Sequence, residues 1–184
     1  MPENKVQFGL DSLYYAVITD GTDGAVTFGT PVRIPGAVSL SMDAENGDTT
    51  FYADNIKYFV STSNNGYSGS VEVAKIPESM WSDVFGATEG SDGVLVENVS
   101  DTIKDVALLF RFSGDKNKNC CVLYRCTIGR PSRNHNTTTD TTEPETETLE
   151  YTAVPLADGK LRATTTSETA DTIKNSWFTQ VYTG

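Results

Sequence analysis

Two segments in the second half of the chain alternate between the two sides of a strand, and a polar loop joins them. Residues 106–112 read VALLFRF and residues 120–126 read CCVLYRC. Because successive side chains of a strand point to opposite faces, this period of two predicts an antiparallel hairpin around residues 113–119. We expect Arg111 and Arg125 on the side away from the core. The residues expected on the core side are Val106, Leu108, Phe110, Phe112, Cys120, Val122, Tyr124 and Cys126.

A single hairpin cannot bury its apolar face, so further strands are needed, and turn signals mark where they lie. Ala37–Asp43 alternates between apolar and polar side chains. Asn46-Gly47 then predicts a tight turn before a returning strand at Thr49–Tyr52. The apolar phase changes at Asp54-Asn55, where a bulge or a turn would exchange the two faces. Asn64-Asn65-Gly66 predicts another turn.

Short runs of strand-forming residues continue along the chain. Gly69–Ile76 places Val71 and Val73 on the inward face, whereas Pro31–Pro35 can form only a short edge element because proline lacks a backbone donor. Abundant Thr, Ser, Asn, Asp and Gly also favour strands and turns over helices. The sequence therefore predicts a mainly β fold of one domain over residues 1–184. The other predicted strands are Leu13–Ile18, Thr148–Val154, Lys160–Thr166 and Trp177–Tyr182.

The segment Pro77–Gly86 is the best helix candidate. Proline is accepted in the first turn of a helix, and glycine is typical of the position after the last turn. A helix of about two turns is not stable alone, so its apolar face must dock on a sheet. The side chains predicted to make that packing face are Met80, Trp81, Val84 and Phe85.

The acidic balance of the chain limits its partners. It carries 25 acidic and 14 basic residues, a net charge of −11. Tight binding to a nucleic-acid backbone needs Lys and Arg to replace counterions, so such binding is not expected. The charge suits a protein that stays soluble before assembly or that repels DNA.

The sequence also predicts synthesis in a cytoplasm and no membrane partner. The N-terminus lacks the layout of a signal peptide, and the longest apolar runs are too short to cross a bilayer. The cysteine count of 3 is odd, which is typical of free thiols in a reducing compartment.

No arrangement of residues predicts catalysis, a metal site or a cofactor site. The single histidine, His135, lies in a polar loop rather than beside a nucleophile. Cys120 and Cys126 are better explained as small apolar core residues than as metal ligands. The acidic turns Asp20–Gly24 and Asp43–Asp48 lack the full ligand set of a calcium loop. We therefore expect no enzyme activity.

One segment, Asn134–Glu147, is of low complexity. It is rich in Thr and carries alternating Glu around Pro144. Such polar sequence has no apolar side chains to anchor it, so we expect a long loop that is flexible or becomes ordered only on assembly.

Several stretches, spread over most of the chain, together resemble the major tail (tube) proteins of siphophages. The central ones are Tyr52-Ala53-Asp54-Asn55, then Gly69-Ser70-Val71-Glu72-Val73-Ala74-Lys75-Ile76-Pro77, then Val84-Phe85-Gly86. The later stretches are Arg111-Phe112, Thr146-Glu147-Thr148-Leu149 and Trp177-Phe178-Thr179-Gln180-Val181-Tyr182. They follow one another in the order typical of that family.

The resemblance implies a β-sandwich of the tail-tube type with one short flanking α-helix and long assembly loops. It also implies hexameric rings that stack into a tube, through which phage DNA is ejected without specific binding. Implied partners are further copies of the chain, a tape measure protein and tail-end proteins. The implied location is the virion tail, after assembly in the host cytoplasm, and the family has no catalytic residues. The strands themselves favour assembly, because open sheet edges can pair with another copy.

The acidic residues of the central strands are candidates for the wall of such a tube. Ser39 and Ser41 share the polar side of the Ala37–Asp43 strand. Near the acidic residues that follow, Lys57 is the one positive charge that could offset theirs. An acidic wall would repel DNA and keep it near the axis. The candidate lumen-facing residues are Asp43, Glu45, Asp48 and Asp54.

The main alternative is a soluble β-sandwich module that binds carbohydrate or a surface. Such modules usually present exposed aromatic platforms, whereas Trp81 and Trp177 are expected in a core or an interface. A small hydrolase is the third possibility, and it lacks a catalytic arrangement.

Overall fold

The computed structural model describes residues 9–22, 24–114, 117–132 and 145–184. About half of the chain is strand and little of it is helix, which confirms the mainly β fold with a short flanking helix. The first strands are β1 (Leu10–Asp20), β2 (Val26–Phe28), β3 (Val32–Arg33), β4 (Ala37–Leu40), β5 (Asp43–Ala53) and β6 (Ile56–Val73). The later strands are β7 (Thr88–Glu89), β8 (Leu95–Val96), β9 (Val106–Phe112), β10 (Cys120–Ile128), β11 (Glu147–Ala153) and β12 (Arg162–Thr164). The described helices are α1 (Glu78–Asp83) and α2 (Asp171–Ser176).

Ten of the described strands form one antiparallel sheet. Its main path runs in the order β2-β1-β9-β10-β11-β6-β4. Strand β3 pairs with β1, β12 pairs with β10, and β5 pairs with β6. The short strands β7 and β8 pair with each other and form a separate hairpin. The sheet is curved, since β4 at one end contacts β1 near the other.

The main core fills the inside of this curve. Side chains of β1, β9 and β10 meet side chains of β6 and β11, and α1 packs against the same cluster. Val71 and Val73 are buried there, as the alternation of β6 predicted. The largest fully buried side chains of this core include Leu13, Tyr15, Phe85, Phe110, Leu123, Ile128 and Leu149.

The second core lies on the other side of β1, β9 and β10. The chain after β12 covers it, and Trp177 and Val181 are buried against the sheet. The indole N–H of Trp177 donates a hydrogen bond to the backbone oxygen of Cys121 at 3.3 Å. The predicted strand Trp177–Tyr182 is therefore wrong: this segment follows α2 and packs across the sheet instead of joining it. In the described residues, no helix has the length and apolarity needed to span a membrane.

The predicted hairpin of β9 and β10 is present, but its register differs from the expectation. Phe110 lies opposite Cys121 and not on one face with Cys120. Because the two cores bury both faces of this hairpin, polarity could not reveal which faces pair. Arg111 was expected on the side away from the core, and it is half-buried instead. Its Nε donates to Oδ1 of Asp11 at 3.0 Å.

The turns predicted around β5 and β6 are in part wrong. Asn46-Gly47 lies inside β5, and Asn64-Asn65-Gly66 lies inside β6. The chain reverses at Asp54-Asn55, where φ is 51° and 62°. Two successive residues with positive φ are typical of a tight hairpin turn. The change of apolar phase at this position therefore marks a turn, and the two strands are longer than their local signals indicated.

Candidate assembly surfaces

Strands β5 and β6 extend beyond the body of the sheet as a two-stranded ribbon. Between Tyr67 and Val73, β6 pairs with β11 on one side and with β4 and the start of β5 on the other. Between residues 56 and 65, β5 is its sole partner within the described part of the chain. We call residues 46–65 the ribbon. At 3.3 Å per residue, its strands reach about 30 Å from the sheet.

The outer end of the ribbon, residues 51–60, carries large apolar side chains on both of its faces; we call it the tip. Phe51 pairs with Phe59 on one face, and Tyr52 pairs with Lys57 on the other. Each large apolar side chain here is between 54% and 70% exposed. These side chains are Phe51, Tyr52, Ile56, Tyr58, Phe59 and Val60. Contiguous exposed apolar surface of this kind marks an interaction site.

The outward side of β4, β6 and β11 is polar and continues onto one side of β5; we call it the polar face. Val71 on β6 and Leu149 and Tyr151 on β11 point into the core. Because side chains alternate along a strand, the neighbours of these residues on the same strands point outward. The outward residues are Ser39, Ser41, Asp43, Glu45, Ser68, Ser70, Glu72, Thr148, Glu150 and Thr152. At the base of the ribbon, this face forms an open groove of about 710 Å³ that Asp43 and Glu150 help to line.

Hydroxyl groups hold the carboxylates of the polar face in place. Ser68 donates to Glu45 at 2.5 Å, and Ser39 donates to Glu72 at 3.0 Å. Thr146 donates to the other oxygen of Glu72 at 2.6 Å. The hydrogen bonds from Thr146 and Ser39 lower the pKa of Glu72 below its ordinary value. The strand segments 37–40, 43–45, 66–73 and 147–153 contain no Lys or Arg, so no cation of their own offsets these negative charges.

The four acidic residues proposed for a tube wall occupy three different positions. Asp43 and Glu45 lie on the polar face, opposite Ser68 and Gly66. Asp48 lies on the other side of the ribbon, since β5 alternates without interruption, and Asp54 lies in the turn. The structure places two further carboxylates, Glu72 and Glu150, on the polar face beside Asp43 and Glu45. The alternation of the strands at 69–76 and 148–154 contained the signal for both.

The four helix residues predicted to pack lie in the main core. Met80, Val84 and Phe85 are fully buried, and Trp81 is 8% exposed. The rings of Trp81 and Phe85 lie 5.1 Å apart at 45°. Helix α1 itself covers only residues 78–83, with Pro77 at its N-cap. These side chains are part of the core beneath the sheet and form no part of an exposed surface.

A buried phenol ties α1 to β1. The hydroxyl of Tyr15 donates to Oδ2 of Asp83 at 3.1 Å and lies 3.2 Å from Oγ of Ser79. Burial raises the pKa of Tyr15 to about 12, and the neighbouring Asp83 carboxylate adds to the shift. The phenol therefore stays protonated and keeps its hydrogen bond at ordinary pH.

The groups that could carry chemistry are buried or lie outside the described residues. Cys120, Cys121 and Cys126 are buried as free thiols, and burial raises the pKa of each above its ordinary value. Within the described residues, no three metal-ligating side chains come together. His135 lies outside the described residues.

The predicted loop Asn134–Glu147 also lies outside the described residues, except for its last three positions. Of these, Glu147 begins β11 and accepts a hydrogen bond from the backbone N–H of Ile76 at 2.6 Å. This carboxylate connects β11 to the segment that leads into α1.

The curved antiparallel sheet carries two distinct exposed surfaces, the apolar tip and the hydroxyl-rich polar face, and exposed apolar surface like that of the tip marks a site of interaction. The model of a family described as phage tail tube protein matches residues 2–180. The chain therefore belongs to the phage tail tube protein family and is a structural component of a phage tail.

Among solved structures, the chain is similar to one described as the cryo-EM structure of the anti-feeding prophage baseplate, six-fold symmetrised. The two are 10% identical with a TM-score of 0.48, and the match covers 92% of this chain and 100% of the other. At this TM-score, the likeness supports no conclusion about function. No curated protein matches the sequence.

Proposed function

We propose that the protein forms hexameric rings that stack into the tail tube of a siphophage, and that DNA leaves the capsid through this tube. The apolar tip of the ribbon, which is exposed on both faces, carries the proposal. Other copies of the chain are the proposed partners of the tip, and a tape measure protein and tail-end proteins are proposed at the ends of the tube. The protein is proposed to assemble in the host cytoplasm and to catalyse no reaction.

The size of the tip supports self-association. Burying one large apolar side chain completely contributes about 1.5–3 kcal/mol. Six such side chains, each a little more than half exposed, would together contribute about 5–10 kcal/mol. The entropic cost of association reduces that gain, but repeated contacts around a ring add to it. Because both faces of the tip are apolar, one flat contact would leave half of it in water. The tip therefore fits between two surfaces of an assembly.

The polar face is the proposed wall of the bore. It combines many small hydroxyl side chains with Asp43, Glu45, Glu72 and Glu150, and its strand segments contain no basic residue. Duplex DNA carries one negative charge per ~1.7 Å of its axis, so such a wall repels it at every ring. DNA would then pass without specific binding. Asp48 and Asp54 lie elsewhere on the ribbon and would have other neighbours.

Removing the apolar tip tests the proposal. The double variant Phe51→Ser/Phe59→Ser should keep the melting temperature of the free subunit, since both side chains are more than half exposed. It should not form rings or tubes under conditions in which the unmodified protein does. Negative-stain microscopy and sedimentation velocity measure both states.

The control is Val99→Ser, which removes a fully exposed apolar side chain outside the ribbon. It should assemble like the unmodified protein. Monomers of the unmodified protein at high concentration would refute the proposal. If such monomers also bound glycan, they would support a carbohydrate-binding module instead.

A further inference from the structure

On β6, the ribbon joins the body of the sheet at Gly66. The ladder between β6 and β11 ends with Tyr67 opposite Ala153, so Gly66 is the first residue of β6 beyond it. Gly66 is buried and its φ is +133°. The backbone at Gly66 therefore connects the part of β6 in the sheet to the part of β6 in the ribbon.

Glycine is required at this position for two separate reasons. A Cβ on Gly66 would lie 2.1 Å from the backbone oxygen of Ala153, a distance that no side chain can occupy. The positive φ is also one that L-residues other than glycine rarely adopt. The backbone N–H of Gly66 donates to Oδ1 of Asn64 at 3.2 Å, so its donor is satisfied at the junction.

In its pairing with β5, β6 also carries a bulge next to Gly66. Glu45 lies opposite Gly66, but the next residue, Asn46, lies opposite Asn64, so Asn65 has no partner in the ladder. Such a bulge bends the strand and increases its twist. The bulge is held by Ser63, whose hydroxyl lies 3.2 Å from Oδ1 of Asn65 and 3.1 Å from the oxygen of Gly47.

We propose that the pair Asn65-Gly66 is a positioning element that sets the direction of the ribbon, and that assembly of the tube depends on this direction. This inference rests on the proposed function. Over the roughly 30 Å between the junction and the tip, a change of about 10° moves the tip by about 5 Å. That displacement equals the spacing of two paired strands, so the tip would miss its place in a neighbouring copy.

Two variants change the junction in different ways. Gly66→Ala adds the Cβ that collides with the Ala153 oxygen. Deletion of Asn65 removes the bulge, adds no side chain and preserves the alternation of β6. The control is Gly86→Ala at the end of α1, where φ is +78° and a Cβ would lie 3.1 Å from the Thr102 oxygen. It strains the backbone far from the ribbon.

The direction of the ribbon is measured in the free subunit by electron spin resonance. Nitroxide labels on Lys57→Cys and Asp171→Cys report the distance between the tip and α2, since both positions are exposed. The three native cysteines are buried and should remain unlabelled. Tube formation by the same junction variants, without labels, is followed by negative-stain microscopy.

We expect both junction variants to shift the distance between labels and to lose tubes, whereas Gly86→Ala keeps both. An unchanged distance overturns the inference, and so do normal tubes from a variant with a displaced tip. Unfolding of both junction variants also overturns it, because a positioning role leaves the subunit folded. Absence of tubes from the unmodified protein refutes the proposed function itself, and this inference with it.

Discussion

Replacing Trp81 with alanine tests how firmly α1 is anchored. The indole is 8% exposed and packs on Phe85, with their ring centroids 5.1 Å apart. A buried Trp removes at most ~250 Å² from water, or about 6 kcal/mol at 25 cal/mol per Å², which is an upper bound. Measured truncations of buried aromatic residues cost about 3–5 kcal/mol. We expect a loss in that range.

Such a loss is a large part of the stability of a domain, which is about 5–15 kcal/mol. For a chain of this length, each kcal/mol lowers the melting temperature by about 2–4 °C, so Trp81→Ala should melt about 6–20 °C lower. The measurement is urea and thermal unfolding of the free subunit by circular dichroism. Conditions without rings or tubes are required, because assembly adds its own stability.

The control is Tyr58→Ala, which also truncates an aromatic side chain but at a site that is 70% exposed. It should change the unfolding free energy of the subunit by less than about 0.5 kcal/mol. A melting temperature of Trp81→Ala equal to that of the unmodified protein would show that α1 does not depend on this packing.

Three further outcomes follow from particular contacts. The pKa of Tyr15, raised to about 12 by burial, makes the folded state hold its proton more tightly than the unfolded state. Its contribution to stability is therefore complete below pH 10 and is lost as the pH rises from 10 through 12. Glu147→Ala leaves a partly buried backbone N–H without its 2.6 Å acceptor and should cost about 1–3 kcal/mol in urea unfolding. The double variant Asp43→Lys/Glu45→Lys should form tubes but slow DNA release, most at low salt, whereas Asp48→Lys should have a smaller effect.

Each of these outcomes has a control or a contrary result. Tyr15→Phe should lose stability less steeply above pH 10, and an equal slope would contradict the assignment. Glu150→Ala removes an exposed carboxylate of the same strand and should change unfolding by less than about 0.5 kcal/mol. If Asp48→Lys slowed DNA release as much as Asp43→Lys/Glu45→Lys, the two sides of the ribbon would be equally close to the DNA, which contradicts the proposed wall.

The local sequence pattern was sufficient to locate a strand and its core-facing side where the other side of the strand is exposed to solvent. The strand predicted at residues 69–76 located the last part of β6 and its inward Val71 and Val73, and the strand predicted at residues 148–154 located β11, since polar and apolar side chains separate cleanly there. The same logic failed for β9 and β10. Both of their faces are buried, so their alternation held no information about register.

The turns show a different limit. Asn46-Gly47 has the composition of a hairpin turn, yet it lies in β5 because the ladder with β6 continues past it. A turn signal is local and weak, whereas a long ladder gains a hydrogen bond with nearly every pair of residues. The C-terminal segment was likewise read as a strand, because its apolar residues do not show that they cover a finished sheet.

The sequence by itself determined the mainly β class, the helix after Pro77 and the acidic character, because each depends on composition or on nearest neighbours along the chain. It also indicated the family, through stretches that follow one another in a typical order. Tertiary structure alone decided that β5 and β6 project as a ribbon, that Glu72 and Glu150 share a face with Asp43 and Glu45, and that Gly66 stands at the junction. These features depend on which strands pair and where each ladder ends. Pairing joins residues far apart in the chain, so no local pattern contains it.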